Sequence, residues 1–286
     1  MNYKLAILVV LYNKDIDDSK SIINLSKLSL SDNGNILVYI WNNGPKSTSL
    51  SDSEACKEFP NVEVHNSLSN PALSKVYNTF IEKVDSDKYI ILDDDSNLNQ
   101  EYIDNAISLS CCSVGMPLIT NNGKICNPKI NGLPIASKYL NHIVLRDIIT
   151  IGSGIVIGKS IKDELIKMNV FSKVFDERFY FYGIDTAFCR CLKINGLSDR
   201  IVIISGFEHD LSRFKKESKE VKSFRRLERS YDRGLSLRYY FSLKKSLVSI
   251  CKLCLSYILG LNRNLRKEIY LIHVIKAYVT GKHYRQ

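Results

Sequence analysis

The sequence has no apolar run long enough to cross a bilayer. Its longest, residues 246–261, is broken by Lys252 and falls short of the roughly 20 residues a spanning helix requires, so no transmembrane helix is expected. The opening, MNYKLAILVVLYNKD, carries only Lys4 ahead of its apolar run and no small-residue cleavage site. It reads as a first strand, with no secretion implied. A second cysteine pair is also missing. Cys251 and Cys254 form a lone C-x-x-C, short of the about four ligands of a zinc site, so helix packing is the plainer reading, and the eight cysteines are expected to stay reduced. No zinc finger, RNP motif, internal repeat or low-complexity linker is present, and no nucleic-acid partner is expected. Acidic residues are scarce at one end: residues 211–286 hold 19 Lys+Arg against 5 Asp+Glu, whereas residues 1–210 hold 21 against 25. The net charge of +10 thus belongs to the tail, which suits nucleic acid, an anionic membrane or an acidic partner on charge alone.

What is there is enough for a proper core. The 286 residues, 45% hydrophobic and 24% charged, fit one large domain or a domain with an appendage. Residues 1–120 alternate β-rich runs (4–12, 35–41, 61–65, 88–93, 113–120) with helical patterns (17–30, 51–58, 71–84, 99–110), the signature of an α/β domain with a largely parallel sheet. Asn70 and Pro71 mark the start of the third helix. This is a Rossmann-like half. Residues 121–134 are turn-rich, ITIGSGIVIG (149–158) reads as a strand whose glycines let other chain approach closely, residues 183–196 form a helix and residues 200–210 a closing strand. From Leu211 only helices are expected, at 212–233, 235–259 and 264–280. The second is amphipathic and basic. Packing on the domain and lying on an anionic membrane are both open for it.

The chemistry gathers in KYIILDDDSNLNQEYI (88–103), where an apolar strand ends in Asp93, Asp94 and Asp95. Ligands in an open α/β sheet bind outside the carboxyl ends of strands. Asp93 and Asp95, at i and i+2 in extended chain, point to one side and can share a hard cation such as Mg2+ or Mn2+ with a substrate diphosphate. Acids entering a helix N-terminus are the plain alternative. An EF-hand is set aside: Asp93, Asp95 and Asn97 match its positions 1, 3 and 5, but Leu98 stands where glycine is needed and Asp104 replaces the terminal Glu.

Five short elements in the same order resemble the inverting glycosyltransferases of family 2, with the GT-A fold. VLYNK holds Tyr12 and Asn13, IWNNGP holds Asn42 and Asn43, and NPALSKVYNTFI holds Lys75 and Asn78. Asp93 and Asp95 form the D-x-D, and FDERFYFYGIDTAFCRCLKING contains Asp185. The resemblance covers residues 4–210, and LDDDS is similar to the rhamnosyltransferase-like and galactofuranosyltransferase-like bacterial branches. Two departures stand out: Asn42 where many relatives have Asp, and Ile184 in place of the Glu of an E-D pair.

The resemblance implies a glycosyltransferase domain over 1–210, with a nucleotide-binding half to about 120 and an acceptor half over 121–210, followed by a basic helical tail over 211–286. Tyr12, Asn13, Asn42, Asn43, Lys75, Asn78 and Asp94 would bind the nucleotide sugar, and Asp93, Asp95 and His209 the cation. Asp185 would be the general base, and Ser153 and Glu177 would face the acceptor. Apart from the resemblance, His209 also reads as a structural histidine, and Asp185 and Glu177 as helix-start acids. The expected partners are a nucleotide-diphosphate sugar, a glycan or lipid-linked acceptor in bacterial surface polysaccharide synthesis, and, through the tail, the anionic inner face of the membrane. A nucleotidyltransferase would also want metal aspartates, but LYNKDIDD supplies no Gly-rich phosphate loop. A non-enzymatic basic adaptor would leave Asp93, Asp95 and Asp185 without purpose.

Overall fold

The structure, a computed structural model, describes residues 2–30, 35–135, 147–209, 218–261 and 263–286. The chain divides into two compact units. The first comprises Met1–Pro71, Lys75–Val174 and Phe188–Leu211, and the second Ala72–Ser74, Phe175–Ala187 and Ser212–Gln286.

The first unit is a mixed α/β fold around a seven-stranded sheet. Its strands are β1 (Leu5–Leu11), β2 (Ile36–Asn42), β3 (Val62–Asn66), β4 (Lys88–Asp93), β6 (Val114–Pro117), β12 (Val156–Gly158) and β13 (Ile201–Ile204), in the order β13-β6-β12-β4-β1-β2-β3. Only β12 runs antiparallel to its neighbours. Strands β1 and β2 are continuous apolar runs because parallel strands are covered on both faces; Leu5, Ile7, Val9, Ile36, Val38 and Ile40 are all buried. Val9 pairs with Ile40 on one side and Leu92 on the other. The chain leaves β1 toward β2 and returns on its far side at β4, so the carboxyl ends of β1 and β4 flank a topological switch point.

Many expected elements appear within a residue or two, but the strands expected over 113–120 and 200–210 each divide between two sheets, as Val114–Pro117 and Ile119–Asn121 and as Ile201–Ile204 and Glu208–His209, and three further exceptions have local causes. The helix expected over 17–30 shortens to α1 (Lys20–Leu25), because the Ser19 side chain accepts from the Ile22 N–H and starts it there. The 51–58 helix is instead two short 3-10 turns, with the Asp17 carboxylate taking the Glu54 and Ala55 N–H groups. The 149–158 strand is split into β11 (Ile148–Ile149) and β12 by Gly154, which turns at φ +88° with the Phe207 ring 2.7 Å from where a Cβ would stand. Helices α2 (Leu73–Lys83), α3 (Gln100–Ser108), α4 (Lys159–Met168) and α5 (Ile184–Ile194) complete the framework. A second, four-stranded sheet orders β5 (Ser96–Asn97), β14 (Glu208–His209), β7 (Ile119–Asn121) and β8 (Lys124–Asn127).

The second unit consists of α6 (Lys219–Tyr240), α7 (Leu243–Ile258), α8 (Arg263–Glu268) and α9 (Leu271–Thr280), joined by the stretches 72–74 and 175–187. The start of the helix expected from 212 lies outside the described residues, as does Asp210. The break expected at residue 234 is absent: α6 runs on through Gly234, whose missing side chain lets α9 approach until the Val274 carbonyl is 2.4 Å from a notional Cβ. The break comes instead at Phe241 and Ser242. The helix expected over 264–280 is also interrupted, with the Tyr270 N–H donating to Ser230 Oγ at 2.8 Å. Buried Glu228 accepts from the Tyr284 hydroxyl at 2.6 Å and faces His283 Nε2 at 3.3 Å, which fixes the chain end to α6. Leu73 N–H and Ser74 Oγ donate to the carbonyls of Tyr180 and Phe179, so 72–74 joins this unit.

Candidate active site

Three loops meet at the switch point. Strand β4 delivers Asp93 at its carboxyl end, and the chain turns through Asp94 and Asp95 into β5. Strand β14 pairs antiparallel with β5 so that His209 stands opposite Ser96. Ligand atoms of Asp93, Asp95 and His209 all lie within 4.8 Å of one another, the only such three-residue group of His, Cys, Asp and Glu among the described residues. His209 Nε2 is 3.9 Å from Asp93 Oδ2, and Nδ1 is 3.6 Å from Asp95 Oδ1.

A buried set of serines holds this acidic turn. The Asp93 N–H donates to Ser153 Oγ at 3.1 Å, Ser153 Oγ meets Ser96 Oγ at 2.8 Å, and Ser96 Oγ meets His209 Nδ1 at 3.2 Å. From α1, the Ser21 hydroxyl donates to the Asp93 carbonyl and accepts the Ser96 N–H at 3.0 Å, while the Ser19 hydroxyl donates to the Asp94 carbonyl at 3.1 Å. In the tautomer whose Nδ1 donates to Ser96, the lone pair of Nε2 is directed to the Asp93 side. That is the arrangement a ligating imidazole needs, with its other nitrogen held by a second group. Two carboxylates and an imidazole within a few ångströms fit one divalent cation.

The third carboxylate has a different partner. Asp94 is paired with Lys14, from the loop after β1, so its charge is offset inside the chain. That loop is tied across the sheet edge by Asn13 N–H to the Gly44 carbonyl at 2.7 Å and Asn43 N–H to the Leu11 carbonyl at 2.8 Å. Asn13 adopts φ 49°, a left-handed conformation that asparagine tolerates well. Asn13, Lys14, Asp15, Asp18, Lys46, Ser47 and Thr48 line a cleft of about 120 Å³. Hydrogen bonds from the Ser53 hydroxyl and the Glu54 and Ala55 N–H groups hold the Asp17 carboxyl below its ordinary range, burial opposing them.

The remaining sequence-derived candidates fall in several places. Tyr12 is 55% exposed beside this loop. Asn42 and Asn43 are 1% exposed, and their side-chain polar groups are used within the chain. Asn42 Nδ2 donates to the Lys46 carbonyl and Asn66 Oδ1, and its Oδ1 accepts from Gly44 N–H. Asn43 Nδ2 donates to Asn70 Oδ1 and the Pro71 carbonyl, and its Oδ1 accepts from Trp41 Nε1. These two amides shape the turn after β2. Along α2, Lys75 is exposed and Asn78 buried. Ser153, expected on the acceptor side, is 1% exposed and positions Asp93 from beneath.

Asp185 and Glu177 belong to the second unit. Asp185 stands half-buried in the first turn of α5, accepting the Thr186 N–H at 2.7 Å. Gly183, at φ +82°, sets its approach, and a Cβ there would lie 2.2 Å from Asp232 Oδ1. Glu177 is half-buried, with its carbonyl accepting from Gln286 Nε2 at 2.9 Å. Its neighbour Asp176 is buried, accepts from the Arg178 N–H and, through two further hydrogen bonds, from its guanidinium, and accepts from the Tyr240 hydroxyl at 2.7 Å. Sequence reasoning missed Lys14, Ser19, Ser21 and Ser96. Ser19 had a signal as a hydroxyl residue ahead of a helix, whereas the other three become visible only when the loops meet.

No protein-family model and no curated protein matches this sequence. Solved structures do. The structure of S. aureus TarS 1-349 is 15% identical at a TM-score of 0.54, with 99% of this chain and 93% of that chain covered. Its complex with UDP is 17% identical at 0.51, with the same coverage. The mannosyltransferase PcManGT from Pyrobaculum calidifontis, in complex with GDP-Man and Mn2+, is 10% identical at 0.55, covering 99% of this chain and 88% of that one. Against a longer TarS structure, this chain spans 41% of the other chain's length. At these identities the likeness establishes the fold, and the fold is that of the Rossmann-like, mixed-sheet α/β proteins to which this mannosyltransferase belongs.

Proposed function

We propose that the protein is an inverting glycosyltransferase that moves a sugar from a nucleoside-diphosphate donor to a lipid-linked glycan acceptor in bacterial surface polysaccharide synthesis. The observation that carries this reading is the convergence of Asp93, Asp95 and His209 outside the carboxyl ends of β1 and β4. Acids and an imidazole at that edge suit a metal-bound diphosphate. The likeness in fold to a mannosyltransferase complexed with GDP-Man and Mn2+ supports it.

Asp93, Asp95 and His209 would hold Mn2+, or Mg2+ in its place. When bound, the ion offsets negative charge on the diphosphate as the glycosidic bond breaks. The loop after β1, with Tyr12 and Asn13, and the turn shaped by Asn42 and Asn43 would receive the nucleoside, with Lys75 and Asn78 on the donor side. The Lys14 pair offsets the charge of Asp94 beside the other two aspartates. Asp185 would take the acceptor hydroxyl proton as that oxygen attacks the anomeric carbon, the carbon's bond to phosphate oxygen breaks, and the nucleoside diphosphate leaves. One in-line displacement inverts the centre. Glu177 would orient the acceptor. The LDDDS element and the apolar residue before Asp185 support a rhamnose or galactofuranose donor, and the basic tail supports work at the inner membrane face.

A thermal-shift panel of nucleotide sugars, with and without Mn2+, tests this. A donor that stabilises the protein only with metal, and fails with Asp95→Ala, is the expected result. Stabilisation of that variant without metal would sink the metal-site assignment, and no response to any donor would sink the reading.

A further inference from the structure

Helix α7 is apolar around far more of its circumference than its packing requires. At about 100° per residue, Ile250, Leu253 and Tyr257 cluster on one narrow face, which packs into the core formed by Leu237, Leu265, Ile269 and Val274. A helix resting on a core needs an apolar stripe of about 100°. On α7 the apolar arc continues for roughly another 120°, through Leu243, Leu247, Cys251, Leu255 and Ile258. The four aliphatic residues in this extension are 70%, 49%, 57% and 69% exposed, in chain order. Among the described residues nothing covers them. Scattered exposed apolar residues are ordinary, but a continuous row along four turns of one helix marks an interaction surface.

Charge identifies the occupant. Residues 241–286 hold nine Lys and Arg against the single acid Glu268, and α7 itself has no acidic residue. Lys245 and Lys252 lie beyond the apolar arc, and Lys244 falls within it at the first turn, next to the helix end; all three are exposed. Long lysine side chains beside an apolar stripe lie along it and carry their ammonium groups to a polar boundary. A protein partner or a second copy of this chain would need an acidic rim to match, and a second copy brings the same positive charge. At 16 residues α7 is about 24 Å long, too short to span a bilayer and suited to lying in its surface.

We infer that α7 is an interfacial helix that embeds its Leu243, Leu247, Leu255 and Ile258 face in an anionic lipid surface, with Lys244, Lys245 and Lys252 on the headgroups. The surface stands whether or not sugar transfer is the reaction, since it uses no residue of the Asp93 cluster.

Flotation of the full chain with vesicles tests it, comparing phosphatidylcholine alone with an equal mixture of phosphatidylcholine and phosphatidylglycerol. The chain is expected to float with the anionic vesicles and not with the neutral ones, less so at high salt. Leu255→Glu with Ile258→Glu should abolish flotation, and Lys245→Gln with Lys252→Gln should weaken it roughly tenfold or more. Circular dichroism shows whether the variants fold, and Leu247→Ser with Leu255→Ser serves if the glutamates disturb α7. Equal flotation with neutral vesicles, flotation unaffected by these substitutions, or none by the wild type would overturn the inference. So would light scattering that shows a dimer lost in the Leu255 and Ile258 variant without any vesicle binding. Failure here leaves metal-dependent donor binding intact, so it is separable from failure of the transferase reading.

Discussion

Removing one hydroxyl beneath the acidic turn should weaken a metal site that the hydroxyl never touches. Ser96→Ala deletes the Oγ that meets Ser153 Oγ at 2.8 Å and His209 Nδ1 at 3.2 Å, in a fully buried position. Two neutral hydrogen bonds at about 0.5–1.5 kcal/mol each put the total loss at about 1–3 kcal/mol. Part of that falls on folding, read as a drop of roughly 2–4 °C in melting temperature per kcal/mol for a unit of this size. The rest falls on the cation. Without Ser96 the imidazole loses the group that fixes its tautomer and rotation, and losses of this kind weaken metal binding by about 10–100-fold. Calorimetric titration of Mn2+ into wild type, Ser96→Ala and Ser96→Thr separates the two. Threonine keeps the hydroxyl and should recover most of the affinity. If Ser96→Ala melts lower yet binds Mn2+ within about twofold of wild type, Ser96 does not position His209 for a cation.

Asp185→Asn should lower transfer by about 10²–10⁴-fold while the thermal shift with donor and Mn2+ stays as in wild type; a loss of donor binding would contradict the base assignment. Gly183→Ala should destabilise the second unit by more than about 1 kcal/mol, since φ +82° is strained for alanine and its Cβ meets Asp232 Oδ1 at 2.2 Å, and urea denaturation reads this directly. The Asp17 carboxyl, held low first by Ser53, contributes stability that is fully present above the ordinary carboxylate pKa and is lost as pH falls through the depressed value. Asp17→Asn should therefore melt lower at neutral pH and approach wild type at strongly acid pH; a constant gap across that range would refute the assignment. Lys14→Met leaves Asp94 uncompensated beside Asp93 and Asp95, and should weaken nucleotide-sugar binding while Mn2+ binding holds or tightens, both measurable by calorimetry.

The strands were legible because a sheet covered on both faces leaves an unmistakable mark, long apolar runs such as LAILVVL and ILVYIWN. The D-x-D at the end of β4 was legible for a related reason, since an apolar strand ending in three acids has few explanations. That His209 would stand beside Asp93 was legible only through the resemblance, because a bridge between two-residue strands, β5 and β14, joins segments more than 100 residues apart. Asn42 and Asn43 show the opposite case. Asparagine is used both to bind ligands and to close turns, and here the backbone of the turn after β2 claims both side chains. Ser153 lies buried under the Asp93 N–H, a place the sequence does not show, since a hydroxyl next to glycine reads the same whether it faces a cleft or supports one. Gly234 looked like a helix end and is a contact point, a distinction made only by α9 arriving against it.

The most direct test of the central claim is pulsed electron paramagnetic resonance of Mn2+ bound to the full chain, with and without a nucleoside diphosphate. The account predicts nitrogen coupling from a single imidazole that disappears in His209→Ala, together with phosphorus coupling that appears when the nucleotide is added. Bound Mn2+ with no nitrogen coupling, or with no phosphorus coupling at saturating nucleotide, would contradict it.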